Sequence, residues 1–246
     1  MSTWVVLPAF NEAENLPDLL DAFSSPRRGG GGPNAIIIVD DGSTDGTPAV
    51  LQEYARGLSL EVVTHGQNLG LARTIADGLA AALARAADDD VIVTMDADNT
   101  HSPQLIPLMV QAIGAGADVV IASRYVPGGA EEGVPLLRRI LSHGIGILLR
   151  LRFGLRGVRD YSSGYRAYRA GLLRRASTRL GPRLVEAKGF AVMAELLVKL
   201  QPFGPRITEV PLHLRYDRKR GASKLRLSRT ILDYLVLLVG PRRQEV

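Results

Sequence analysis

The sequence predicts a doubly wound α/β fold built on a mostly parallel sheet. Short apolar runs alternate with stretches of helical periodicity through the first half of the chain, which is the pattern of successive βαβ units. The apolar runs end in polar clusters rich in Asp, Asn and Ser, where an open parallel sheet carries its ligand-binding loops. With 246 residues, 46% of them hydrophobic and 22% charged, the chain can bury a full core as one large domain. The same composition excludes disordered, collagen-like and multi-span membrane classes.

The first strand is expected over residues 4–8, with no basic and apolar leader ahead of it and hence no signal peptide. Asn11 can cap a helix over 12–23. The glycine run 29–32 with Pro33 lacks the spacing and the following helix of a dinucleotide loop, so it is expected to be a flexible connection. Strands over 35–40, 60–64, 91–95 and 118–123 alternate with helices over 47–55, 70–86 and 103–114. Thr44 or Asp45 can cap the first of these helices, and Ser102 followed by Pro103 the last. After Arg124 the pattern changes to an apolar helix near 136–151, the polar segment 160–168, a helix near 189–200 and an alternating stretch over 207–216. A charged segment over 217–224 and a helix ending near Val239 follow. There is no internal repeat and no separating linker, so residues 1–246 are expected to form one domain.

The net charge of +5 is unevenly spread. Residues 1–122 carry 16 acidic and 5 basic side chains, net −11, whereas residues 123–246 carry 9 acidic and 25 basic, net +16. The first half suits a divalent cation and the second suits phosphates or anionic lipid. Solubility and a genome rich in arginine codons would produce the same split, since 26 of the 30 basic residues are Arg. The absence of cysteine excludes disulfides, thiolate metal sites and a thiol nucleophile, and is compatible with a cytoplasmic location. His65, His101, His143 and His213 form no metal-binding spacing.

Polar residues follow four of the strands: Asn11 and Glu12, Asp40 and Asp41, Asp96 and Asp98, Ser123 and Arg124. Hard cations want oxygen ligands, and Mg²⁺ usually keeps one or two carboxylates and completes its shell with phosphates and water. Asp96 and Asp98 are therefore a candidate site for Mg or Mn, although an isolated Asp-x-Asp also caps helices. The string DADNT at 96–100 equally fits the nucleophile loop of haloacid-dehalogenase-like phosphatases. No Asp-Asp or Gly-Asp pair follows Asp98, and the pair Asp40 and Asp41 precedes it, so that reading needs a permuted chain order. Residues 41–46 imitate a calcium loop, but position twelve is Gln52 and a strand precedes it, which excludes calcium there. One of Asp40 and Asp41 is expected to face a base or ribose hydroxyl while the other fixes the turn.

Five strings in order resemble the motifs of family-two glycosyltransferases of GT-A fold: LPAFNE from Leu7, VDDGSTDGT from Val39, NLG from Asn68, DAD from Asp96 and SRY from Ser123. In the second half, DYSSGYRAY from Asp160, Gly189 and Phe190 with Glu195, EVP from Glu209 and GASK from Gly221 resemble the dolichol-phosphate mannose synthase branch. The resemblance covers residues 4 to about 230. It implies that Pro8, Phe10 and Glu12 line a nucleotide pocket, with Val39 and Asp41 on base and ribose. Asp96, Ala97 and Asp98 would border the diphosphate, with Asp98 the principal metal ligand and Asp96 assisting. Thr100 stands where the family often has a Gln ligand, leaving Asn99 or water to substitute. Arg124, Arg218 and Lys224 would hold the donor diphosphate, Arg138 and Ser142 the acceptor phosphate, and Asp96, Asp98 and Arg124 would form the catalytic set.

The implied activity is metal-dependent, inverting transfer of a sugar from a nucleotide sugar to a polyprenyl phosphate. The resemblance favours GDP-mannose, with a UDP-sugar as the alternative donor. Residues 1–123 would be the nucleotide-sugar half and 124–246 the acceptor half. Transfer to a soluble hydroxyl or natural-product acceptor is a second class, and phosphatase chemistry a third. A lipid phosphate is already anionic near neutral pH and needs no general base. Glu195, within an apolar helix, is expected to satisfy an Arg or backbone group, with a role as base the alternative. The helices near 136–151 and 226–239 set apolar residues beside arginines, as interfacial helices do, so peripheral contact with the inner face of the membrane is expected, with core or dimer packing as the alternative. The run 231–239 contains Asp233 and is about half the ~20 residues a span requires. No nucleic-acid partner is expected.

Overall fold

A computed structural model describes residues 1–24, 33–221 and 227–240. The apolar runs of the first half form β1 (Thr3–Ala9), β2 (Ala35–Asp40), β3 (Leu60–Thr64), β4 (Val91–Thr94) and β5 (Val119–Ser123). The periodic stretches between them form α1 (Leu16–Ser24), α2 (Thr47–Tyr54), α3 (Leu71–Leu83) and α4 (Ile106–Gly114). The second half contributes β6 (Ala130–Glu132), α5 (Leu136–Phe153), β7 (Arg166–Arg169), α6 (Ala170–Leu180), α7 (Ala191–Leu200), β8 (Ile207–Pro211), β9 (His213–Arg215) and α8 (Leu227–Val239). The glycine run 29–32 lies outside the described residues.

Among the described residues seven strands form one sheet in the order β3-β2-β1-β4-β7-β5-β8. All its pairings are parallel except those of β7, which runs antiparallel between β4 and β5. Side chains of a strand alternate between faces. Val6, Ile37 and Ile92 join Ile75 and Leu79 of α3 and the apolar faces of α6 and α7 on one side. Val5, Leu7, Ile38 and Val93 join α1 and α4 on the other. Both faces are thus covered, which is why β4 and β5 read as unbroken apolar runs. Helix α3 lies so close to β1 that a Cβ on Gly78 would come within 2.4 Å of Val6 Cγ1. The register pairs Val6 with both Ile37 and Thr94, so β1, β2 and β4 end on one rim.

Strand β6 and helix α6 add to the expected elements, and two further features depart from the expectations. Helix α1 starts at Leu16, because Asn11 takes a φ of 53° and the Glu12 carbonyl accepts from the N–H groups of Asn15 and Leu16, making a turn over 12–15. Asn11 therefore does not cap a helix beginning at residue 12. Strand β7 was unforeseen because RAYR is flanked by arginines, yet Arg166 is fully buried and its guanidinium donates to the carbonyls of Met193 and Tyr161. The capping expectation for α2 is corrected: Gly46 holds the cap position without a side-chain hydrogen bond, and Asp45, one residue earlier, accepts from the Thr47 N–H at 2.9 Å through its Oδ1.

Helices α5 and α8 pack against each other, with Arg152 donating to the carbonyls of Leu238 and Gly240. Both leave apolar side chains in solvent, Leu151 at 77% and Val239 at 85% exposure being the extremes. No helix of the described residues is long and apolar enough to cross a membrane.

Candidate active site at the carboxyl ends of the strands

Strand β4 delivers the acidic pair. Its last residue, Thr94, is buried and donates its hydroxyl to the Gly164 carbonyl at 2.8 Å, fastening the strand to the 160–165 loop. The chain then turns through Asn99, whose φ of 62° is a left-handed conformation that Asn tolerates. Asp96 and Asp98 come to line a cleft of about 1000 Å³, its open mouth included. Ala97, expected beside the diphosphate, is instead buried in the core, in the bend that follows β4.

Asp98 is fully engaged. Its Oδ1 accepts from the Thr100 hydroxyl at 2.6 Å and from the Thr100 N–H at 3.2 Å, and its Oδ2 accepts from Lys219 Nζ at 2.6 Å. Burial works to raise the Asp98 pKa, but Lys219 and the Thr100 hydrogen bond outweigh it and hold the carboxyl below the usual range. Asp96 moves the other way: burial, reinforced by the charge of Asp98, pushes it up against the pull of His101 and Lys219. His101 Nδ1 accepts the Asp96 N–H at 3.2 Å, and its ring stacks on Tyr165 with centroids 5.0 Å apart. Burial also opposes the charge on Lys219, yet Asp98, Glu12 and Asp96 together raise its pKa.

The opposite wall comes from the second half of the chain. Arg124, just past β5, grips buried Asp160 through two 2.8 Å hydrogen bonds, donates to Glu131 at 2.9 Å and reaches the Ser162 hydroxyl at 2.6 Å. Asp160 is held from behind: Glu209 Oε1 accepts from the N–H groups of Arg159 and Asp160 at 2.7 and 2.8 Å. Arg138 and Ser142 lie four residues apart on α5 and therefore share a helix face. Arg138 donates to the Tyr216 hydroxyl at 2.9 Å and its guanidinium lies 4.9 Å from that ring's centroid. Ser142 is 3.4 Å from the Tyr125 hydroxyl. Arg124, Glu131, Arg138, Ser142, Ser162 and Tyr216 line the same cleft as the acidic pair.

The remaining predicted residues are more dispersed. Pro8 and Phe10 are half-buried at the end of β1, on the same rim, and buried Glu12 accepts from Asn15 at 2.7 Å. Val39 is fully buried with its side chain against Gly78 of α3, so the expectation of contact with a base is corrected: strand alternation makes it a core residue. Asp41 accepts from the N–H groups of Leu69 and Gly70, each at 2.8 Å, and bonds His65 Nδ1 at 2.7 Å. Asp40 accepts from the Ser43 N–H at 3.1 Å. Asp40 thus fastens the turn that follows β2, and Asp41 ties that turn to the connection between β3 and α3. Arg218 is exposed, and it is the next residue, Lys219, that reaches Asp98; Lys224 lies outside the described residues. Glu195 accepts from the N–H groups of Glu186 and Ala187 and pairs with Lys199, as an acid in an apolar helix was expected to do.

Sequence reasoning missed Lys219, Tyr216 and the pairing of Arg124 with Asp160. A run of three adjacent cations over 218–220 gives no sign of which will turn inward. The acidic pair suits a hard divalent cation, because two carboxylates on one turn face a cleft with room for water and phosphate oxygens. Among the described residues no group of three or more potential ligands converges.

The profile of Glycosyl transferase family 2 matches residues 4–176. The chain belongs to that family. It is 33% identical over 236 residues to a dolichol-phosphate mannosyltransferase of Pyrococcus furiosus, covering 96% of this chain and 62% of that protein. The chain thus spans less than two thirds of that relative. A polyprenol monophosphomannose synthase of Mycolicibacterium smegmatis is 34% identical over 226 residues, which are 91% of this chain and 80% of the relative. Among solved structures, a glucosyl-3-phosphoglycerate synthase from Mycobacterium tuberculosis, in complex with Mn²⁺, UDP and glucosyl-3-phosphoglycerate, superposes with a TM-score of 0.67 at 25% identity. The match covers 97% of this chain and 80% of that one. Membership of the glycosyl transferase family, with its GT-A fold, overturns the phosphatase reading of Asp96–Thr100.

Proposed function

We propose that this chain carries the transferase activity of its family, moving mannose from a nucleotide-diphosphate sugar, GDP-mannose in preference to a UDP-sugar, to a polyprenyl phosphate. The observation that supports this is one cleft with two characters. Asp96, Asp98, Arg124, Arg138 and Ser142 line it together with the apolar side chains Leu141 and Ile145 of α5, Ile231 of α8 and Phe190. A lipid phosphate needs both kinds of lining. The mannosyl relatives are named for such acceptors.

In this reading Asp96 and Asp98 hold a divalent cation, Mg or Mn, which when bound supplies Lewis-acid screening of the donor diphosphate. Residues 1–123 hold the donor and 124–246 the acceptor. Arg138, oriented by Tyr216, and Ser142 receive the acceptor phosphate through charge-assisted hydrogen bonds. The acceptor oxygen is already anionic, so it attacks the anomeric carbon, the sugar–diphosphate bond breaks with inversion, and no side chain must remove a proton. Glu195, held by backbone amides and Lys199, is not required as a base. Arg124 shapes the site through its fixed contacts with Asp160, Glu131 and Ser162. The apolar side chains that α5 and α8 leave exposed would rest on the membrane surface at its cytoplasmic face.

The test is an acceptor screen with labelled GDP-mannose and UDP-glucose, with and without Mn²⁺, offering short polyprenyl phosphates against alcohols and phosphoglycerate. Metal-dependent transfer from GDP-mannose to the prenyl phosphates is expected. Product only with the alcohols or with phosphoglycerate would overturn the lipid reading. Arg138→Ala is expected to raise the acceptor KM about tenfold or more, the cost of losing a hydrogen bond to a charged group, while donor KM stays unchanged. An unchanged acceptor KM would remove Arg138 from the acceptor site.

A further inference from the structure

Lys219 occupies an unusual place. Its ammonium sits 2.6 Å from Asp98 Oδ2, and the two side chains are only 12% and 14% exposed. The other Asp98 oxygen is taken by the Thr100 hydroxyl and N–H. The backbone on either side of Lys219 is tied to the acidic rim. The Arg215 N–H donates to the Thr100 carbonyl at 3.1 Å, and the Arg220 N–H donates to Asn15 Oδ1 at 2.8 Å. Asn15 in turn donates to the Arg220 carbonyl and to Glu12. The lysine is thus delivered to Asp98 by a clamped segment.

We propose that Lys219 is a built-in counter-ion of the acidic pair, which a divalent cation must displace from Asp98 Oδ2 to bind. This rests on the reading of Asp96 and Asp98 as the cation's ligands. An ammonium and a hard dication compete for the same anionic oxygen, and both cannot lie within bonding distance of Oδ2 without severe repulsion. The displaced ammonium stays tethered beside the cleft, where a donor diphosphate would supply its next anionic partner. Metal binding and nucleotide binding therefore become coupled: the cation is held weakly by the free protein and more tightly once the diphosphate accepts Lys219.

Mn²⁺ binding followed by electron paramagnetic resonance, on the full chain without nucleotide, tests this. Lys219→Met is expected to bind Mn²⁺ about tenfold more tightly than the unaltered protein, because no charge-assisted hydrogen bond has to be broken, whereas Lys219→Arg retains weak binding. Adding GDP is expected to shrink the difference. Equal affinity of Lys219→Met and the unaltered chain would overturn the proposal alone. Failure of both to bind Mn²⁺ would overturn it together with the assignment of the acidic pair. Should Lys219→Met fail to fold, reductive ¹³C-methylation of the unaltered protein reads the same event. The dimethyl-Lys219 resonance, assigned by its absence in Lys219→Arg, is expected to shift on addition of Mg²⁺, and a stationary resonance would refute displacement.

Discussion

Transfer by Asp98→Asn is expected to fall roughly a hundred- to a thousandfold, the loss that follows when several kcal/mol of cation-borne charge stabilisation is removed. The amide keeps an oxygen for the Thr100 hydroxyl and N–H, which now hold Asp98 Oδ1 at 2.6 and 3.2 Å, so the turn after β4 survives. What it loses is the negative charge that Lys219 neutralises in the free protein and that a dication would use. Steady-state transfer of labelled mannose, beside a melting curve showing a folded variant, checks this. Full activity in Asp98→Asn would take the residue out of the cation site.

Asp160→Ala should produce the largest loss of stability. Asp160 is fully buried, and its carboxylate accepts two hydrogen bonds from the Arg124 side chain and others from the N–H groups of Arg124, Ser162 and Ser163. Removing it takes the principal partner from a guanidinium that is itself only 11% exposed, leaving it Glu131 and the Ser162 hydroxyl. Breaking a buried pair in this way costs about 3–5 kcal/mol, which for a chain of this size lowers Tm by roughly 10 °C. Calorimetry against the parent protein measures it, and a shift under about 2 °C would contradict the assigned burial. The pair also sets an acid limit. Burial works to raise the Asp160 pKa, but Arg124 and the hydrogen bonds hold it below the usual carboxylate value. Because the folded value lies below the unfolded one, this stabilisation is complete above about pH 4. It is lost as pH falls through the lowered folded value, and Asp160→Asn should lack that part of the acid sensitivity.

The contrast between Asp98 and Val39 shows how far the sequence could be read. Both belong to strings that resemble family motifs, but only Asp98 also has a local physical signal, a carboxylate just past an apolar strand. Val39 sits inside its strand, and alternation gives it to the core. Asp40 and Asp41 carry the same signal as Asp98 and are still taken up by backbone amides, Asp40 by that of residue 43 in its own loop and Asp41 by those of residues 69 and 70 on the connection between β3 and α3. Strand β7 escaped because its arginines mask a pair of buried residues, and Arg166 is tolerated in the core because two carbonyls face it, that of Tyr161 five residues upstream and that of Met193 on α7.

The sequence by itself determined the alternation of strands and helices, the convergence of polar residues on one rim and the family that the motifs resemble. These are set by periodicity and by short strings within single elements. The tertiary structure decided which charges meet. That Arg124 faces Asp160, Arg138 faces Tyr216 and Lys219 faces Asp98 depends on chain separations of 36, 78 and 121 residues. Local propensity carries no information about pairings across such distances; only the packing of β7 between β4 and β5, and of the 216–220 segment over the rim, brings them within reach.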